Sequence, residues 1–190
     1  MIKEEARNYI NQHFSSLSKK EKINLDAKIL KNFKKILNIL NCKNIGSYVS
    51  LDNEVSTFNL NQFISEKGIN VFLPKLSKNK KNKHLSFLQY LKKDKHTKNT
   101  FGVLEPSSNM KSIELEELDL IVVPIRAVNK NLFRLGHGGG FYDASLKRIN
   151  PKKCIGLGYE FQIIEDFEIE SHDLKLGGLI TPEGYFKNAL

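Results

Sequence analysis

The run Leu118-Asp-Leu-Ile-Val-Val-Pro124 restricts the folds open to this chain more than any other feature. Asp119 aside, it is an unbroken apolar stretch, the pattern of a strand covered on both faces. Such strands sit inside α/β sheets with helices on either side, and the earlier part of the chain agrees. Ile45–Leu51 reads as a short buried strand. Ser56 or Thr57 can cap a helix through Phe58, Leu60, Phe63 and Ile64, closed by Gly68. Asn70–Leu73 is a second strand, which Pro74 is expected to stop. A strand, a helix and a strand at this spacing predict a parallel crossover unit.

The remaining segments extend the same pattern. Ile2–His13 predicts a short helix with Lys3 and Arg7 on one face. Ser18 and Glu21 have capping-box spacing. After them Ile23, Ala27, Leu30, Phe33, Leu37 and Leu40 recur every three or four residues, an amphipathic helix to about Asn41. His84–Leu91 alternates like a strand, with Leu85, Phe87 and Leu91 on one side, and the polar stretch Lys92–Thr100 reads as a mobile loop. A helix from about Tyr142 to Asn150 and short strands at Cys154–Tyr159 and Gly178–Thr181 complete the order. The expectation is an α/β chain: a single domain over residues 1–190 with a three-layer, Rossmann-like fold and a mostly parallel sheet flanked by helices.

Several function classes are set aside by composition. Lys, Asn or Glu interrupts every apolar run before the roughly 18 residues that a membrane span needs. The first residues carry mixed charge and no apolar core, so no secretory signal is read there. Cys42 and Cys154 lack metal-ligand spacing and read as reduced thiols of a cytoplasmic protein. The net charge of +9 admits polyanionic ligands. Its densest run, Lys75–Lys83, has no interleaved aromatics to stack bases, so it reads as a solvated loop and no nucleic-acid partner is expected.

Chemistry concentrates in Arg134-Leu-Gly136-His-Gly138-Gly139-Gly140-Phe141-Tyr142-Asp143. Four glycines in five positions, between a strand and a helix, leave backbone N–H groups uncovered and able to wrap an anion. Arg134 adds an always-charged fork suited to phosphate. Asp143 is placed to hold Mg²⁺ or to cap the helix. The spacing matches neither the P-loop nor the dinucleotide fingerprint.

These residues resemble the 5-formyltetrahydrofolate cyclo-ligase family, whose Arg-Leu-Gly-x-Gly-Gly-Gly-x-Tyr-Asp they reproduce after a strand ending in Pro124. Lys3 and Arg7 match the family's N-terminal Lys-x-x-x-Arg, and Glu54-Val55 its short Glu-Val motif. Gly102-Val-Leu-Glu105-Pro106 matches its Gly-Ile-Leu-Glu-Pro segment, and His172-Asp173 its late His-Asp pair. The resemblance implies ATP-dependent cyclisation of 5-formyltetrahydrofolate to 5,10-methenyltetrahydrofolate, with ADP, phosphate and Mg²⁺. The formyl oxygen would attack the γ-phosphate, and N10 would then close the ring as phosphate leaves. An amide oxygen leaves poorly, so activation must come first. The protein has mainly to align two ligands and neutralise charge.

By the same resemblance Lys3, Arg7, Arg134, Leu135, Gly136, His137, Gly138, Gly139, Gly140, Phe141 and Tyr142 would meet ATP. Arg134 and Tyr142 would act in catalysis. Glu54, with His137 and Phe141, would meet the folate, Glu54 accepting from the adjacent N–H donors of the pterin. Asp143 and Asp173 would hold Mg²⁺. The lysines between Lys75 and Lys98 would face a polyglutamate tail, and a cytoplasmic monomer without membrane or nucleic-acid partner is expected.

The chain departs from the family pattern at several points. Ile125 stands for Gly, Val128-Asn129 for Phe-Asp, Leu132 for Gly, His137 for a common Tyr, Phe141 for the first of two tyrosines, and Gly177 for an acid. Two other classes remain open on residues alone. One is a phosphorylated-ligand isomerase or transferase on the same scaffold, with Glu54 or Glu105 as its acid. The other is a basic nucleic-acid-binding module that uses Lys78, Lys80, Lys81 and Lys83.

Overall fold

The computed structural model describes residues 1–77, 83–91, 97–98, 104–106 and 109–187. Much of the lysine-rich run, including Lys78, Lys80 and Lys81, and the Gly102-Val103 part of the Glu105 motif lie outside the described residues.

Helices α1 (Lys3–Ser16) and α2 (Lys19–Leu37) open the chain. At α2 the expected capping box forms: the Glu21 N–H donates to Ser18 Oγ at 3.2 Å, and the Ser18 N–H to Glu21 Oε2 at 2.9 Å. Such a cap stabilises a helix by about 1 kcal/mol. The helix ends at Leu37, earlier than its apolar rhythm suggests, because Ile39 and Leu40 find no core and are exposed.

The crossover unit follows as β1 (Asn44–Gly46), α3 (Phe58–Glu66) and β2 (Asn70–Leu76), with β1 and β2 parallel and Asn44 opposite Asn70. Gly68 closes α3 at φ +73°, a left-handed conformation that favours glycine. Pro74 does not stop β2, which continues to Leu76. Phe72 O accepts from Ser47 N on the β1 side, and Pro74, two residues on, turns its nitrogen to that same side. There β1 has already ended, so no ladder bond is lost. The other edge pairs antiparallel with β3 (Leu85–Gln89), where Leu85 and Phe87 are buried but Leu91 is exposed beyond the strand. Within the stretch expected as a loop, β4 (Thr97–Lys98) pairs with β5 (Leu104–Glu105). A further edge strand, β6 (Ser112–Ile113), joins β3.

The apolar run forms β7 (Leu120–Val123), parallel to β1 on one side and to β10 (Cys154–Leu157) on the other. Between β7 and β10 lie the two-stranded β8 (Ala127–Val128) and β9 (Arg134–Leu135), the glycine turn, and α4 (Phe141–Leu146), which is shorter than expected. Strands β11 (Gly178–Ile180) and β12 (Tyr185–Lys187) finish the sheet. Among the described residues its order is β12-β11-β10-β7-β1-β2-β3-β6, parallel through the centre and antiparallel at both edges.

Residue parity on β7 separates the layers. Leu120 and Val122 pack with Ile29, Phe33, Leu60 and Ile64 of α2 and α3, whereas Ile121 and Val123 pack with Leu146 of α4. A third cluster joins Ala6 and Ile10 of α1 to Ala127, Leu135 and Phe167. This is the three-layer α/β arrangement with a mostly parallel sheet. No helix of the described residues is long and apolar enough to cross a membrane.

Two departures from the family pattern have structural counterparts. Leu132 sits at φ +61°, where a glycine would be unstrained, and its turn is held by Asn129, whose Oδ1 accepts from the N–H groups of Asn131 and Phe133 at 3.0 Å each. At Gly177 a Cβ would stand 2.5 Å from the Pro151 carbonyl oxygen, so this backbone admits no side chain there.

Cys154 is buried in the sheet, and burial pushes its thiol up to about 12. The Cys42 thiol is raised too, first by partial burial and then by the charge of Asp119. Thiolate is the reactive form. With the native protein at pH about 8, a disulfide reagent should label Cys42 slowly and Cys154 only after unfolding; rapid labelling of both would contradict this packing.

Candidate functional site

Beyond β1 the chain turns one way through β2 and β3, and it returns on the other side of β1 as β7. The crevice between the carboxyl ends of β1 and β7 is therefore the switch point of the sheet, where open α/β folds bind ligands. A cavity of about 330 Å³ lies there, lined after β1 by Tyr48, Val49, Leu51 and Glu54, and after β7 by Pro124. Arg134, Gly136, His137, Gly139, Gly140, Phe141 and Tyr142 form its opposite wall. Pro74, Leu76 and Leu85 add apolar surface, and Glu105 a second buried acid.

The glycine turn owes its shape to Gly138 at φ +98° and Gly140 at φ +72°, conformations that strain any residue with a Cβ. The Arg7 Nε–H donates to Gly136 O at 2.9 Å, so α1 braces the turn from outside. Lys3 lies elsewhere, bound to Asp173 at 2.8 Å and to Glu170. Leu135, expected at the nucleotide, directs its side chain into the α1 cluster and is 2% exposed.

Arg134 is buried, at 4% exposure, and its guanidinium is already engaged. Nη2 donates to both oxygens of Asp143 at 2.9 Å, and Nη1 donates to Pro124 O at 3.0 Å. Asp143 also accepts from the Leu174 N–H at 3.2 Å. Its carboxylate is thus an ion-pair partner rather than an open cation ligand. Asp173 accepts from Lys3 and from the Glu170 N–H at 2.8 Å. With Glu170 and His172 it forms a group of ligand atoms within 4.8 Å of one another, a group that does not include Asp143.

Glu54 and His137, 83 residues apart in sequence, meet at 2.8 Å. The second oxygen of Glu54 accepts from the Leu51 N–H at 2.8 Å, which folds the short turn after β1 around the carboxylate. Burial, with Glu54's negative charge added, raises the phenols of Tyr48 and Tyr142 above the ordinary tyrosine range. Both therefore stay neutral donors at physiological pH. Arg134 lies 5.4 Å from the Tyr142 ring centre.

Two cavity-lining donors, Arg134 Nε and Tyr142 Oη, are buried without a hydrogen-bond partner among the described residues. A buried donor left unpaired is costly, so a ligand that supplies acceptor oxygens fits this wall.

Sequence reasoning missed three contributors. Lys83 brings its ammonium beside Gly140, 3.4 Å from where a Cβ would stand. Glu105 was matched to a motif and weighed only as the acid of the alternative isomerase or transferase; its Oε1 accepts from the Leu76 N–H at 2.9 Å. Arg126, 2% exposed, follows Pro124 in a stretch to which no strand or helix and no role was given. Only a charged residue inside an apolar run marked it.

A doubly wound sheet with its crevice at the switch point, walled by a glycine turn and a buried cation, defines an α/β enzyme acting on small ligands. A model of the 5-formyltetrahydrofolate cyclo-ligase family matches residues 2–182. The chain belongs to that family. The 5-formyltetrahydrofolate cyclo-ligase of Haemophilus influenzae is 39% identical over 142 residues, covering 73% of this chain and 75% of that protein. That of Mycoplasma pneumoniae is 31% identical over 188 residues, covering 96% and 100%. The NMR structure of the Aquifex aeolicus 5,10-methenyltetrahydrofolate synthetase superposes with a TM-score of 0.85 at 26% identity, covering 100% of this chain and 94% of the other.

Proposed function

We propose that this chain joins ATP hydrolysis to the closure of 5-formyltetrahydrofolate into 5,10-methenyltetrahydrofolate, releasing ADP and phosphate. The observation that carries this reading is the pair of donors without a partner among the described residues, Arg134 Nε and Tyr142 Oη, in a cavity whose far side holds the buried carboxylate of Glu54. Acceptor oxygens would satisfy the first wall, and the N–H edge of a pterin the second. The cavity volume of about 330 Å³ suits one ring system. The nucleotide then lies along the exposed amides of Gly138 and Gly139.

ATP supplies the activating phosphoryl group for the formyl oxygen. The protein's part is to hold and neutralise. Glu54 fixes the pterin, and His137 and Phe141 border it. Tyr142, kept protonated by burial, donates to an oxygen of the formyl or phosphoryl group. Arg134 places a fixed positive charge below the turn, and Arg7 and Lys83 flank it from two other elements. Lys3 adds charge near Asp173. Mg²⁺ would neutralise charge on the nucleotide's phosphates. Asp173, Glu170 and His172 would be the side chains to meet it once Lys3, which pairs with both carboxylates, gives way, and Asp143 would likewise have to exchange its Arg134 partner. The full reading is one domain over residues 1–190, acting as a cytoplasmic monomer, with a polyglutamate tail passing toward the lysines after Lys75 and no nucleic-acid partner.

Purified protein given 5-formyltetrahydrofolate, ATP and Mg²⁺ should build the long-wavelength absorbance of the methenyl product, and should build none when nucleotide is omitted. A flat trace from folded protein with all three present would sink the proposal. Product formed without nucleotide would move the chain to another reaction class.

A further inference from the structure

Arg126 is among the largest fully buried side chains of the protein, yet no carboxylate lies within ion-pair distance of it among the described residues. Its Nη1 donates to the Asn53 carbonyl oxygen at 2.7 Å, its Nη2 to Asn11 Oδ1, and its guanidinium carbon stands 5.6 Å from the Phe14 ring centre. Its backbone is held as firmly: the N–H donates to Leu135 O at 2.8 Å, and the carbonyl accepts from Gln162 Nε2 at 3.0 Å. Burying a guanidinium against neutral acceptors is expensive, and an apolar side chain of similar size would serve stability as well or better. A role beyond packing follows from what the residue joins. Asn53 precedes Glu54, Asn11 lies on the helix that carries Arg7, and Leu135 leads into the glycine turn.

We propose that Arg126 is the positioning residue for the carboxylate that receives the pterin: it clamps the Asn53–Glu54 turn to helix α1 and to the root of the glycine turn, and it supplies the buried positive charge behind Glu54. This rests on the reading of Glu54 given above. The groups that act on Glu54 come from several elements: His137 from the glycine turn at 2.8 Å, Tyr48 from the segment after β1, Tyr142 from α4, and Arg126 itself. Arg7 of α1 acts in turn on Arg126. Burial pulls the Arg126 guanidinium below its usual value, while the charge of Glu54 draws it back up. The two charges therefore sense each other across the Asn53 carbonyl. Held this way, the carboxylate keeps one orientation before substrate arrives, which lowers the ordering cost of binding.

The test compares wild type with Arg126→Met, which keeps the bulk without charge, and Arg126→Lys, which keeps charge without the fork. Titrations with 5-formyltetrahydrofolate and, separately, with ATP would run alongside steady-state kinetics. In Arg126→Met, Kd and KM for the folate should rise about tenfold, with kcat and the ATP Kd within about twofold. Arg126→Lys should restore part of the folate affinity. Unchanged folate affinity in Arg126→Met, or equal losses for ATP and folate that Lys does not relieve, would overturn the proposal and leave a packing role. Should Arg126→Met not fold, Asn11→Ala loosens the same guanidinium from the exposed side of α1. It should raise the folate KM about threefold with ATP affinity kept, and no change there would equally count against Arg126. Wild-type protein that binds ATP but no 5-formyltetrahydrofolate would overturn the functional reading itself, and this inference with it.

Discussion

Replacing Glu54 by glutamine should lower kcat/KM for 5-formyltetrahydrofolate on the order of a hundredfold while leaving ATP affinity and melting temperature nearly unchanged. The shape of the site survives the change, because the amide oxygen can still accept from the Leu51 N–H that now bonds the carboxylate at 2.8 Å. What disappears is a charged acceptor facing neighbouring N–H donors. A hydrogen bond to a charged group contributes about 1.5–3 kcal/mol, against about 1 kcal/mol for a neutral one. The glutamine also presents its own N–H₂ toward the pterin donors, so one contact becomes a clash of like partners. Glu54 is 4% exposed, and water cannot readily take over. Steady-state kinetics with each substrate varied in turn decides the matter. Wild-type kcat/KM in this variant would send the pterin to another part of the cavity.

The second large effect concerns Asp143. Its removal as Asp143→Ala leaves the Arg134 guanidinium, 4% exposed, with Pro124 O as its one remaining protein acceptor among the described residues. Breaking a buried pair from one side typically costs about 3 kcal/mol or more. For a chain of this size that is a fall in Tm on the order of 6–12 °C. The loss should appear in the protein alone, before any nucleotide or metal is added, and ATP affinity should fall with it as Arg134 leaves its place under Gly136. Asp143→Asn, which keeps a neutral acceptor, should recover part of the stability. The resemblance to the family implies instead that Asp143 serves Mg²⁺. On that basis Tm would hold and only the Mg²⁺ needed for half-maximal rate would rise, so thermal melts with and without Mg²⁺ separate the two roles.

The glycine turn was legible as a string because its information is local. Four glycines between a strand and a helix need no tertiary contact to expose their amides, and Gly138 and Gly140 adopt the left-handed conformations that such a string invites. The apolar run was equally readable. A strand with both faces apolar must be covered twice, and parity on Leu120–Val123 sends alternate side chains to α2–α3 and to α4. The capping box at Ser18 and the crossover from Asn44 to Asn70 are short-range in the same sense.

The misread elements share a cause. Pro74 was expected to end β2 because a proline removes a donor; whether the donor matters depends on what lies opposite, and β1 stops just short of it. Leu37 ends α2 because core contacts, not periodicity, set where that helix stops.

The amino-acid sequence by itself determined the layer order, the parallel centre of the sheet and the place of the glycine turn, since each follows from side-chain period and backbone freedom over a few residues. Only the tertiary structure decided which charges are already matched. Arg134 faces Asp143, Lys3 faces Asp173, Glu54 faces His137 across 83 residues of chain, and Arg126 is buried with no acid at ion-pair distance among the described residues. The physical reason is that a charge's role is fixed by its nearest partners in three dimensions and by the water that folding removes around it.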